Sequence, residues 1–288
     1  MIEYDPKSWI SVVCRVRGSI MLRLVPRMVV AAAIGVGAVV LFRREGTHLP
    51  SQAHTLVGVA LGLLLVFRTN ASYDRYWEGR RLLGGIVNRS RDLARQIATS
   101  VDDPAARAAL ARLVPAFYWL ATQTLRRQTD LAALGDRLTA EERAALGPVA
   151  NRAPVVLAWI SARLRSLSAA GQLRDTQLLL IDQNLTTLND HLGGAERILK
   201  TPIPFAYAQH IKIFVVLFCF SVPFAIVDQM GWATPPVSAV LALALFGVDE
   251  IGVEIEDPFG DDPNDLPLDA IGNGIDRAVA EIVATPTP

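Results

Sequence analysis

Four uncharged apolar runs, grouped in two pairs, decide what this chain can fold into. They are "MVVAAAIGVGAVVLF" (28–42) and "TLVGVALGLLLVF" (55–67), then "IFVVLFCFSVPFAIV" (213–227) and "WATPPVSAVLALALFGV" (232–248). The short polar links "RREGTHLPSQAH" and "DQMG" join the members of each pair, so each pair reads as a helical hairpin. No run reaches the roughly 20 residues that a lone spanning helix needs. Burial inside a soluble protein is the competing reading, but four such runs in 288 residues would overfill one soluble core. Tilted helices in an oligomer, by contrast, shelter their polar ends from lipid. The expectation is an integral membrane protein with spans at about 26–43, 51–67, 211–228 and 232–249. The first run is not a signal peptide, since it starts far from Met1 and no small-residue cleavage site follows it.

The remainder is far more polar. Residues 68–210 show apolar positions three and four apart and no comparable uncharged run, which predicts a large helical region in water. Asp103-Pro104 supplies an N-cap followed by proline at the first helical position. "LTAEERAALG" offers Thr139 and Glu142 as a capping box with Gly147 as a stop. "AAGQLRDTQLLLIDQNLTTLNDHLGGAERIL" predicts a long helix ending near Gly193 and Gly194. No period-2 strand of useful length appears, so the fold class is all-α. The domain division expected is 1–67 for the N-terminal segment and first hairpin, 68–210 for the cytosolic helices, 211–250 for the second hairpin and 251–288 for an acidic loop and tail.

Charge excludes some functions and orients the chain. Basic and acidic residues balance at 28 each and the sequence pI is near 6.9, which gives no electrostatic case for nucleic acid. Arg15, Arg17, Arg23 and Arg27 precede the first run, Arg68, Arg75, Arg80 and Arg81 follow the second, and Lys200 and Lys212 precede the third. The positive-inside rule then puts both termini in the cytoplasm, despite Arg43 and Arg44 in the first link. Cys14 and Cys219 read as packing residues, and His48, His54, His191 and His210 have no metal-binding spacing. The acidic and basic residues Asp74, Arg75, Glu78 and Arg81 lack a nucleophile or metal partner, so ordinary i,i+3 and i,i+4 pairing explains them and no enzyme is expected.

One helix carries both characters. "GVALGLLLVFRTNASYDRYWEGRRLLGG" (58–85) is apolar to Phe67 and strongly charged from Arg68 onward, with no proline between. Such a helix can cross a membrane and run on into water. Val59, Leu63 and Phe67, spaced i, i+4, i+8, form one row along it. Apolar rows usually pack against lipid or another helix, and spacing alone leaves that alternative open.

"FRTNASYDRYWEGRR" after an apolar helix, "RGSI" before the first span, "GGAERILKTPIPFAYAQH" before the third and "EDPFGDD" after the fourth together resemble the bestrophin family. The resemblance runs in order through nearly the whole chain and is closest to the bacterial members. It implies a homopentameric ion channel in the bacterial inner membrane, with four spans per subunit, passing small monovalent ions. In that family the second helix lines a narrow neck, which assigns the neck to Val59, Leu63 and Phe67. The family narrows again near the start of the helix leading to "LTTLND", and gapless counting back from Leu188 gives Thr176, with Gln177 and Leu178 within the error of that count. Animal members pass anions and a bacterial relative passes cations, so kinship leans toward cations. A membrane-anchored transporter or scaffold with a cytosolic interaction module is the alternative.

The stretch "VEIEDPFGDDPNDLPLD" (253–269) is the one concentrated acidic segment. Animal bestrophins bind calcium here. By position, Asp262 and Asp265 would be side-chain ligands and Glu254 and Asp257 would lie near backbone-ligand positions. Pro263 and Asn264 interrupt the acidic run, and bacterial members generally lack the calcium response. No cofactor is therefore expected, and the segment reads instead as a turn that docks the C-terminal tail.

Overall fold

A computed structural model describes residues 2, 5, 7–16 and 18–285 of the 288-residue chain. Arg17, counted above among the basic residues before the first span, lies outside the described residues. Among the described residues the chain is all-helical, in ten α-helices and two short 3-10 turns. It divides into two compact units. One comprises Met1–Tyr76, Pro202–Asp257 and Asp262–Asn264, and the other Trp77–Thr201, Pro258–Asp261 and Asp265–Pro288.

The first unit holds the apolar helices. A short turn of helix, α1 (Trp9–Val13), precedes α2 (Met21–Glu45). Gly46 ends α2 in the left-handed conformation at φ 67°, and the link to α3 (Ser51–Ser100) is only residues 46–50. α2 is longer than the run 28–42 because its first turns take in Arg23 and Arg27, whose guanidinium groups pair with Glu250 and Glu254 near the far end of the fourth run. The shortfall against a spanning length is thus made up by residues whose charges are neutralised inside the unit.

Among the described residues, three stretches are long and apolar enough to cross a membrane: Met21–Glu45, Ser51–Ser100 and Phe205–Glu254. The third is broken at Gly231, φ 50° and ψ −124°, a conformation open to glycine and strained for other residues. A 3-10 turn at Gly231–Ala233 follows, dividing the stretch into two helices. These pack on each other and on α2. Leu24, Ala31, Leu61, Leu65, Ile211, Val215, Cys219, Ala242 and Phe246 make the core of this unit.

The second unit is built from the rest of α3 with α4 (Pro104–Leu125), α5 (Ala140–Leu146), α6 (Arg152–Ala169) and α7 (Asp175–Lys200). The helices of the broken stretch are α8 (Phe205–Met230) and α9 (Thr234–Glu254), and α10 (Leu268–Ala284) closes the chain. Asp103 accepts from the backbone N–H groups of Ala105 and Ala106 and caps α4. Thr139 and Glu142 form the reciprocal capping box of α5. α4 packs against α6, α7 and α10 around Leu113, Phe117, Ile160, Leu188 and Ile275, all fully buried.

One sequence expectation fails here. α7 does not end at Gly193–Gly194 but continues six residues further, to Lys200. A side chain at Gly194 would meet Leu82 of α3 at 2.8 Å, and one at Gly85 of α3 would meet the His191 ring at 2.5 Å. Each helix therefore offers a glycine notch to a large side chain of the other. These glycines serve a close helix crossing, and a helix tolerates them where packing gains outweigh their poor propensity.

Candidate functional site

The apolar half of α3 has two faces. Leu61, Leu65, Arg68 and Ser72 are 0–3% exposed and point into the first unit. The row Val59, Leu63 and Phe67 lies on the opposite face and is 71%, 55% and 55% exposed. These side chains have few neighbours within their own chain, and a row of large apolar groups left uncovered on one helix marks a surface completed by something else. Asn70 and Asp74 continue the row at i+3 and i+7 from Phe67 and are exposed too.

The boundary between the apolar and charged halves is held by a set of charges centred on the dry pair Arg68 and Asp249. Arg68 Nε donates to Asp249 Oδ1 at 3.3 Å and its Nη2 to Glu256 Oε2 at 3.2 Å. Asp249 Oδ2 accepts from Lys212 Nζ at 2.9 Å. Glu256 Oε1 accepts from the backbone N–H of Ile203 at 3.0 Å, and its backbone carbonyl from Arg75 Nε at 3.1 Å. The sequence reading missed this set. Its signal was present, however: a lone Arg68 closes the second apolar run, and Asp249 and Glu250 close the fourth.

The acidic segment is engaged within the protein. Glu254 pairs with Arg23 Nη1 at 3.3 Å and accepts from Asn264 Nδ2 at 2.7 Å, while the same amide also donates to the carbonyl of Gly18 at 3.1 Å. Asp257 and Asp262 are exposed and Asp265 is buried. Asp261 pairs with Arg126 at 2.9 Å. Among the described residues, no three His, Cys, Asp or Glu side chains are grouped so as to hold a metal ion. Thr176 is exposed in the first turn of α7, and Leu179 and Leu180 beside it are exposed apolar residues.

The cytosolic helices carry their own ion pairs. Burial alone would raise the Glu142 pKa, but hydrogen bonds from Arg112, the Thr139 backbone and Arg163 overcome this and hold it at about 2. The carboxylate receives Arg112 at 2.7 and 3.0 Å and Arg163 at 2.7 Å. Burial, then the Arg89 charge, push the pKa of His191, whose ring sits in the Gly85 notch, below its ordinary value. α10 is tied to α4 by Arg126 with Asp269 and by Trp119 Nε1 with Asp276, whose carboxylate also receives Arg137.

Long apolar helices, an uncovered apolar row and buried charge pairs at the polarity boundary define an integral membrane protein of helical architecture. Residues 1–281 match the Bacterial/Fungal Bestrophin protein family. The voltage-dependent anion channel-forming protein alr2987 of Nostoc is 38% identical, over 96% of this chain and 92% of that relative. The voltage-dependent anion channel-forming protein YneE of Escherichia coli is 32% identical, over 96% and 92%. A bacterial bestrophin homologue of Klebsiella pneumoniae superposes with a TM-score of 0.86 at 31% identity, over 91% of this chain and 99% of that one. The chain belongs to the bacterial bestrophin family of membrane proteins, and its fold is of that channel type rather than that of an enzyme.

Proposed function

We propose that the chain assembles as a homopentamer in the bacterial inner membrane, with four spans per subunit and both termini in the cytoplasm. It conducts small monovalent ions through a neck of Val59, Leu63 and Phe67. The observation that carries this is the exposure of that row on the face of α3 opposite its core face. One helix cannot enclose an aqueous path, and repetition around an axis would turn each of the three residues into a ring. An apolar ring offers an ion nothing in place of its water shell, so it gates by its radius and wetting. Thr176 at the start of α7 is the proposed second constriction, and Thr176→Trp is expected to lower single-channel conductance.

An apolar neck does not choose the sign of the ion. Asn70 and Asp74 follow the neck in register, and a ring of Asp74 carboxylates would draw cations. Kinship with a cation-passing bacterial relative points the same way, whereas the named relatives are anion channel-forming proteins. The reversal potential of the purified protein in planar bilayers under a salt gradient decides. A cation-side potential that shifts toward zero in Asp74→Asn supports this reading, and an anion-side potential unaffected by Asp74 contradicts it. Absence of any conductance together with a stable monomer in native mass spectrometry would favour the scaffold alternative.

A further inference from the structure

The Arg68–Asp249 pair differs from the other described ion pairs. Its side chains are 2% and 5% exposed, and in no other described pair are both below a tenth. A dry ion pair gives little net stability over an apolar pair of the same shape, and its best-attested use is to fix register. The register at stake is that of the helix carrying the neck. Arg68 follows Phe67 directly, about 100° further round α3, so the guanidinium points into the unit while the ring points out of it.

The anchor draws on three other pieces of the first unit. Asp249 lies in α9, Lys212 in α8, and Ile203 in the link before α8. α9 runs close beside this face of α3: a Cβ at Gly252 would lie in ordinary contact with it, 3.6 Å from Arg68 Cγ and 3.7 Å from Ser72 Oγ. Rolling a helix about 5–6 Å in radius by 20° carries its side-chain tips sideways by roughly 2 Å. That is enough to change a ring of apolar side chains from closed to open, because dewetting depends steeply on radius.

We propose that Arg68 is a positioning residue for the neck: its pair with Asp249 and Glu256 sets the roll of α3, and through it the aperture made by Leu63 and Phe67. The α8–α9 hairpin is then the element whose displacement opens or closes the pore. Two groups on the anchored face, Arg68 Nη1 and Ser72 Oγ, are buried without a hydrogen-bond partner among the described residues. A network satisfied only in part is easier to release than a complete one. This inference rests on the neck reading, so the test must separate the two.

Single-channel records of the full-length protein in planar bilayers provide it, with Leu63→Ala, Arg68→Met, Arg68→Lys, Asp249→Asn and the Arg68→Met/Asp249→Asn double variant. Arg68→Met is a fair probe because Asp249 keeps Lys212 and Glu256 keeps the Ile203 N–H when the guanidinium is gone. The expected result is at least a fivefold change in open probability for Arg68→Met, with ion preference unchanged. Arg68→Lys, with its charge but without the fork that spans two carboxylates, should lie between it and the parent. The double variant should change no further than the larger single one, as residues of one network do. If Leu63→Ala alters gating while Arg68→Met and Arg68→Lys record like the parent, or if the two single effects multiply, the anchor is structural only. An inert Leu63→Ala overturns the neck, and the anchor with it. Should Arg68→Met not assemble, Arg68→Lys alone decides by the same criteria.

Discussion

The two compact units solve opposite problems with the same kinds of side chain. Apart from Trp77, Leu179 and Leu180, every exposed large apolar side chain among the described residues belongs to the first unit, including Val59, Leu217 and Val240. The second unit buries such residues and turns its ion pairs toward the rim, where Arg112, Arg126 and Arg137 hold carboxylates from partly exposed positions. The first also has partly exposed Arg23, Arg27 and Lys212 at its carboxylates, but it keeps one pair, Arg68 with Asp249, dry. The difference follows from the solvent each unit is built for. Lipid accepts an apolar surface and excludes an unpaired charge, and water does neither.

The largest effect that sharpens this contrast is expected at Leu61. It stands two residues before Leu63, off the exposed row, and is fully buried in the core of the first unit. Leu61→Ala should therefore leave a cavity and cost about 2–5 kcal/mol, seen as a lower melting temperature in detergent. Equal melting temperatures for Leu61→Ala and Leu63→Ala would break the two-faced account of α3.

Two adjacent glycines test the second unit. Gly85→Ala drives a Cβ into the His191 ring and should cost about 1–3 kcal/mol. Gly84→Ala meets only the flexible end of Arg80 and should be neutral or stabilise by up to about 1 kcal/mol through helix propensity. Thermal unfolding of both variants checks the sign as well as the size.

Glu142 gives a pH window. Its pKa is depressed from the ordinary 4.5 to about 2, so its contribution is complete above the higher value and is lost as pH falls toward the lower. Hydrogen exchange at α4 and α5 should accelerate across that window. In Glu142→Gln the same amides should exchange faster at neutral pH and show no further carboxylate-dependent loss on acidification. The smallest expected effect is that of calcium: submillimolar calcium should leave melting temperature and conductance unaltered, since Pro263 and Asn264 interrupt the acidic run. A calcium-dependent rise in melting temperature that Asp262→Ala removes would contradict this.

Much of the architecture was legible because it depends on local chemistry. Apolar runs, the Asp103 cap and the Thr139–Glu142 box each act within a few residues, and each has the expected local form. What was not legible depends on distant partners. Gly193–Gly194 reads locally as a stop, and only Leu82, more than a hundred positions away, makes Gly194 a packing notch. Arg68 reads as the first charge outside the membrane, and only Asp249 makes it a buried anchor. Likewise Leu61 and Leu63 are indistinguishable by composition and differ only in what surrounds them.

The central claim is that the exposed row of α3 is the neck of a pore, and single-channel recording of Leu63→Ala beside Val57→Ala tests it most directly. Val57 is also exposed and apolar, but lies about 120° round the helix from Leu63. The account predicts a several-fold rise in open probability or current for Leu63→Ala, with ion preference unchanged, while Val57→Ala conducts like the parent. Identical records from the two variants would contradict it.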